Sequence, residues 1–125
     1  MIKFTYKGDY KKTDQYLHRL NNIQFTSILT RFAQLGVESL SRSTPINSGK
    51  TASSWGYKIV NNKSGFEIIW TNSNIEDGAP IAILIQYGHV TRNGGYVEGY
   101  DYINPAIQPI IDEISNFVRK EMAKD

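Results

Sequence analysis

Apolar residues recur along the chain with two different periods, and the changes of period divide the sequence into elements. From about Ile23 to Ser43, Phe25, Ile28, Leu29, Phe32, Leu35, Gly36 and Leu40 return at steps of three and four. That spacing lays them on one stripe of an α-helix, with Arg31, Gln34, Glu38 and Arg42 elsewhere on the wheel, facing water or a partner. Gly36 stands on the apolar stripe although glycine costs a helix about 1 kcal/mol relative to alanine. Its position predicts a close approach by another element. Pro45 ends the run, because the residue before a proline, here Thr44, is pushed out of helical geometry.

The period then drops to two. Trp55, Tyr57 and Ile59 alternate with polar neighbours in "SWGYKIVN", and Phe66, Ile68 and Trp70 do so in "GFEIIWTN". "NNKSG" between them is hairpin punctuation, so one face of an antiparallel pair must be covered, and the long helix is the natural cover. Ile2, Phe4 and Tyr6 predict a further short strand at the start. Asp9 or Thr13, followed by Tyr16, Leu17 and Leu20, predicts a short helix that stops at Asn21-Asn22. Ala79 to Tyr87 is too short for its period to separate helix from buried strand. Pro80 favours a short helix, since proline suits a first turn. The final stripe is Ile107, Ile110, Ile111, Ile114, Phe117, Val118 and Met122, with Asn104 as a candidate cap and Pro105 at the first helical position. Lys120 and Lys124 near its end complement the helix dipole. The expected architecture is one α+β domain over residues 1–125, an arm at 1–22 preceding a core at 23–125. In it a long helix of the N-terminal half and a C-terminal helix pack on a small antiparallel sheet.

Composition narrows the classes. A chain of 125 residues, 40% of them hydrophobic, supports one modest core. Fourteen Lys and Arg against 12 Asp and Glu leave a formal +2, too little for a dedicated nucleic-acid surface. The basic cluster at 3–12 reads as a solvated face. With no cysteine, disulfides, thiolate metal sites and a cysteine nucleophile are excluded, which fits a reducing cytoplasm. "MIKFTYKGDYKK" lacks the layout of a signal peptide, and the longest apolar run, Ala79–Ile85, falls far short of the roughly 20 residues that span a bilayer. The expectation is a soluble, unsecreted chain with no membrane partner.

Candidate chemistry is sparse. His18 and His89 lie far apart and belong to no metal-ligand spacing, so no metal or cofactor is expected. "SGKTASS" has the Gly-Lys-Thr that closes a phosphate loop, but the glycine required five positions earlier is Thr44, and the preceding element is a helix. "TRNGGY" has glycines without the helix that should follow them. Instead Asn93-Gly94, between "HVTR" and "YVEGYDY", signals a tight turn in a projecting hairpin or flap. The whole stretch Tyr87–Pro105 holds four tyrosines and four glycines. Tyrosine and arginine supply large amphipathic contact area and dominate protein interfaces. Candidate contact residues are therefore Arg92, Asn93, Tyr96, Tyr100 and Tyr102 on the flap, and Thr44, Pro45, Ser48 and Lys50 in the polar 44–54 linker. Tyr102 and Ile103 are expected to lean inward, Tyr96 and Arg92 outward. Gly49, Gly88, Gly94, Gly95 and Pro105 are the candidate turn-formers. A rival reading is a small nucleic-acid-binding or nuclease domain, with His89, Arg92 and Glu98 as acid–base set beside the basic cluster.

Three stretches, in order, resemble one family. "STPINSGKTASSW" is similar to the "TPVDTGxLxxS" signature of phage tail-completion proteins, the minor tail or neck family of lambda-like long-tailed phages. "APIAILIQYGHVTRNGG" resembles that family's "YAxxVEYGT" segment, and "YDYINPAIQPIIDEI" its "PFLxPAxxxxxxxI" ending. Thr44, Pro45, Ser48 and Gly49 fall on the signature turn, Tyr87-Gly88 on the Tyr-Gly pair, and Pro105-Ala106 on the Pro-Ala pair. Asn47 replaces the usual acidic residue, and Gln86 stands where glutamate is common. The resemblance implies an α+β subunit without catalysis, made in the host cytoplasm and built into the virion. It further implies a homo-oligomeric ring, hexameric in number, joining head connector or stopper proteins to the tail terminator and tail tube. Genome DNA would pass through its lumen without tight binding. Head-closure and tail-terminator rings are sibling roles that the same resemblance admits.

Overall fold

The computed structural model describes residues 2–7, 22–45, 49–62 and 65–122. The helix expected after Asp9, the contact residue Ser48 and Lys124 lie outside these residues. The elements run β1 (Ile2–Lys7), α1 (Asn22–Ser43), α2 (Gly49–Ala52), β2 (Trp55–Asn62), β3 (Gly65–Asn72), β4 (Ile75–Glu76), β5 (Ala79–Pro80), α3 (Ile81–Tyr87), β6 (Gly88–Val90), β7 (Tyr96–Glu98) and α4 (Ile103–Met122). The fold is α+β.

The main sheet has the order β1-β3-β2 and is antiparallel throughout. Its register sets Ile2 and Tyr57 on either side of Trp70, and Ile59 beside Ile68. Side chains alternate between the two faces of a strand, so this register collects the aromatic and branched residues on one face. Trp55, Phe66, Ile68 and Trp70 are buried there. The other face carries Lys3, Lys58 and Glu67, with Lys3 Nζ 3.3 Å from Glu67 Oε2.

α1 covers the apolar face, and the residue that lets it do so is Gly36. A methyl group there would lie 2.5 Å from Nε1 of Trp70 and 2.6 Å from Cε2. The helix backbone therefore rests directly on the indole ring, whose Nε1 donates to the Ala33 carbonyl at 2.9 Å. Leu29, Ala33, Leu40 and Trp70 are wholly buried at this contact, and Arg31, Gln34, Glu38 and Arg42 face outward as the wheel requires. The flank of α1 away from β2 packs on α4 through the tilted pair Phe32–Phe117, 5.8 Å between ring centroids. Ser39 Oγ donates across the same seam to the Ala106 carbonyl at 2.7 Å. Ile103, Ala106, Ile107, Ile114 and Val118 supply the buried stripe of α4.

Two boundaries differ from the sequence expectation. α3 begins at Ile81, with Pro80 as an extended flanking residue that still belongs to β5. α4 begins at Ile103, and the Tyr102 carbonyl accepts the first helical bond from the Ala106 N–H at 3.3 Å. Asn104 is thus inside the helix, its Nδ2 donating to Asp101 Oδ1 at 3.1 Å, and Pro105 is the third helical residue. The first-turn N–H groups of a helix need outside partners. Here the partner comes from a different element, and that arrangement founds the flap.

Candidate functional site

The flap is the antiparallel pair β6–β7, with Gly88 opposite Glu98, His89 opposite Val97 and Val90 opposite Tyr96. Its tip is a three-residue loop. The Gly94 N–H donates to the Thr91 carbonyl at 3.1 Å, and the Thr91 N–H to the Gly95 carbonyl at 2.8 Å. Gly94 has φ +83°, the left-handed conformation of a type I turn closed by a glycine bulge. Asn93-Gly94 is therefore not a two-residue turn: Arg92 and Asn93 are its central pair and Gly94 is the bulge. Gly95 needs no left-handed backbone. Its N–H donates to Thr91 Oγ1 at 3.0 Å.

At the root the backbone closes tightly around Gly88 and Gly99, with the Tyr96 hydroxyl also lying over Gly88. A methyl on Gly99 would fall 2.6 Å from the Gln86 carbonyl oxygen, and one on Gly88 would meet the Val97 carbonyl at the same distance. Gly99 was not among the sequence candidates. The available signal was a glycine between a strand pattern and a helix start, which marks close backbone approach.

Gln86 holds this root to α4. Its buried Oε1 accepts the N–H groups of Tyr102 at 3.0 Å and Ile103 at 2.9 Å, while Nε2 donates to Asp101 Oδ1 at 2.7 Å. One side chain thus satisfies two orphan donors at the start of a helix and orders the segment before it. A glutamate here would keep the acceptor but set a second carboxylate against Asp101. Tyr102 adds a second tie, its hydroxyl donating to the Ala82 carbonyl at 2.9 Å. Tyr102 is 2% exposed, so it braces α3 and is corrected from contact residue to core. Burial pushes its phenol up from 10.0 to about 12, since the phenolate would lose its water.

Beyond the root the flap is bare. Residues Arg92 to Glu98 are all exposed, Val90 is 71% exposed, Tyr96 65% and Tyr100 61%. Of the seven large hydrophobic side chains exposed among the described residues, five lie between Tyr87 and Tyr100. Scattered exposed apolar residues are ordinary, but a cluster of them marks a contact surface. No protein-family profile, curated protein or solved structure matches this chain.

The same geometry separates the proposed acid–base set. His89 shares a ribbon face with Val97, and Glu98 with Gly88, so His89 and Glu98 project from opposite faces. Among the described residues no three His, Asp or Glu side chains gather as a metal-ligand set, and no helix is long and apolar enough to cross a membrane.

The 44–54 linker differs most from expectation. It has little apolar content, yet its described residues 44–45 and 49–54 are folded into the body through polar contacts. Thr44, 4% exposed, donates from Oγ1 to the Leu40 carbonyl at 2.7 Å and accepts from Trp55 Nε1 at 3.0 Å. It closes the end of α1 and satisfies a buried indole, which removes it from the contact surface. Thr51 is buried under Asn72 and Asn74, whose Nδ2 atoms donate to its carbonyl and its Oγ1, both at 2.8 Å. Pro45 is half-buried, while Gly49 and Lys50 are exposed. Lys50 Nζ lies 3.8 Å from Glu76 Oε1. Gly49 has open space around it and no left-handed φ, so the turn does not require glycine there. The candidate contact residues that are exposed are Arg92, Asn93, Tyr96, Tyr100 and Lys50.

Proposed function

We propose that this chain is a structural subunit of a phage neck, a tail-completion or head–tail joining protein that acts by assembly and performs no catalysis. The observation that carries the reading is the flap: an apolar, tyrosine-bearing ribbon tied down at its root, with Arg92 to Glu98 all exposed. A two-stranded ribbon is marginal in water by itself. Its exposed Val90, Tyr96, Val97 and Tyr100 fit a surface that is completed by another protein. The resemblance of the three sequence blocks supplies the setting, a homo-oligomeric ring between head connector and tail tube. The near-neutral charge suits a wall past which DNA must slide, because strong phosphate contacts would hold the genome back. Particles assembled without this protein should appear in negative-stain micrographs as filled heads and separate tails. Joined, infectious virions from the deletion would overturn the assignment.

A further inference from the structure

On the side of α1 that faces solvent, a second surface has the character of a receptor. β2 is an edge strand of the main sheet, and no described strand pairs with its outer side. Between that edge and α1 runs an open groove of about 550 Å³, lined by Gln34, Val37, Glu38, Trp55, Gly56 and Tyr57. It continues along α1 past Ser41 to Arg42. A groove open along its length suits an extended chain better than a small molecule, which is held in concave, largely enclosed pockets. An unpaired strand edge beside aromatic side chains is what strand addition uses: the backbone supplies hydrogen bonds and alternate side chains enter the groove.

Resting on the reading of this chain as a ring subunit, we infer that the groove between α1 and β2 receives the flap of a second copy of the same chain. Charge and shape select that occupant. Both surfaces are amphipathic, and each carries one cation and one anion, Arg92 and Glu98 on the flap, Arg42 and Glu38 on the groove. Tyr96 and Glu98 share one face of β7, so a β7 laid along β2 turns both inward. Tyr96 then stacks near Tyr57, Glu98 approaches Arg42, and Arg92 from the loop reaches Glu38. The opposite orientation sets like charges together. Flap and groove are different surfaces, and the flap's own chain packs against it chiefly through α3. Contact between unlike surfaces of identical chains is head-to-tail, and it closes into a ring when the rotation between subunits permits.

The test is a charge swap on the full chain, read by sedimentation velocity up to millimolar concentration. Glu38 and Arg92 are both exposed, and circular dichroism would verify that each variant is folded. Wild type should self-associate. Glu38→Arg and Arg92→Glu should each raise the dissociation constant by about tenfold or more. The double variant should return it to near the wild-type value. A wild type that stays monomeric, single variants without effect, or a double variant weaker than either single one would each overturn the inference. Association that ignores both substitutions would sink the groove while leaving a ring subunit intact. The neck assignment is judged separately, by particles lacking the protein.

Discussion

Tyr102 shows how one buried hydroxyl makes the fold sensitive to base. In the unfolded chain its phenol ionises near 10.0, and in the folded protein near 12. The folded state therefore holds its proton longer, and stability from this residue is complete below pH 10 and lost as pH rises through 12. The difference amounts to about 2–3 kcal/mol at most. Comparing wild type with Tyr102→Phe by urea unfolding from pH 8 to 12 should show the wild type losing that advantage over the variant as pH climbs. Parallel curves would mean that the hydroxyl does not titrate out of register. Single residues also differ in how well the sequence announced them. Gly36 was legible because its low helix propensity conflicted with its place on the apolar stripe, and Trp70 resolves the conflict. Thr44 was not, because its partner Trp55 is set by the packing of two elements and leaves no trace in local spacing.

Among elements, the joint of α3, the flap and α4 depends on Gln86. Truncating it to alanine leaves the N–H groups of Tyr102 and Ile103 without their acceptor, and Asp101 with the Asn104 amide but no longer the Gln86 one. Gln86→Ala should cost about 2 kcal/mol in unfolding free energy. The amides of residues 102 and 103 should lose hydrogen-exchange protection ahead of those in β3. Unchanged protection there would show that another group caps the helix. Helices α1 and α4 and the β2–β3 hairpin were readable from periodicity, since a continuous buried face imposes it. The start of α4 was not, because the cap comes from a glutamine 16 residues upstream of Tyr102 and not from the local Asn104. The polar 44–54 linker misled for a related reason. Hydroxyls and amides that bond one another can be buried as fully as leucines, and composition alone does not reveal which will pair.

At the level of the whole molecule, folding and contact surface are separable. Arg92 to Glu98 are all exposed and none belongs to the buried core, so replacing Val90–Val97 by a short turn should change unfolding free energy by less than about 1 kcal/mol while abolishing assembly. Denaturant melts and complementation of defective particles would measure the two effects independently. A large loss of stability would show that the ribbon is part of the core after all. The architecture was legible at this scale, but the groove beside β2 was not, since it exists only once helix and strand edge are set side by side. The crossing at Gly88 and Gly99 has a mechanical outcome as well. With main chain seated against main chain, a load on the ribbon's tip passes to Gln86 and, through its amide oxygen, to the opening turn of the last helix.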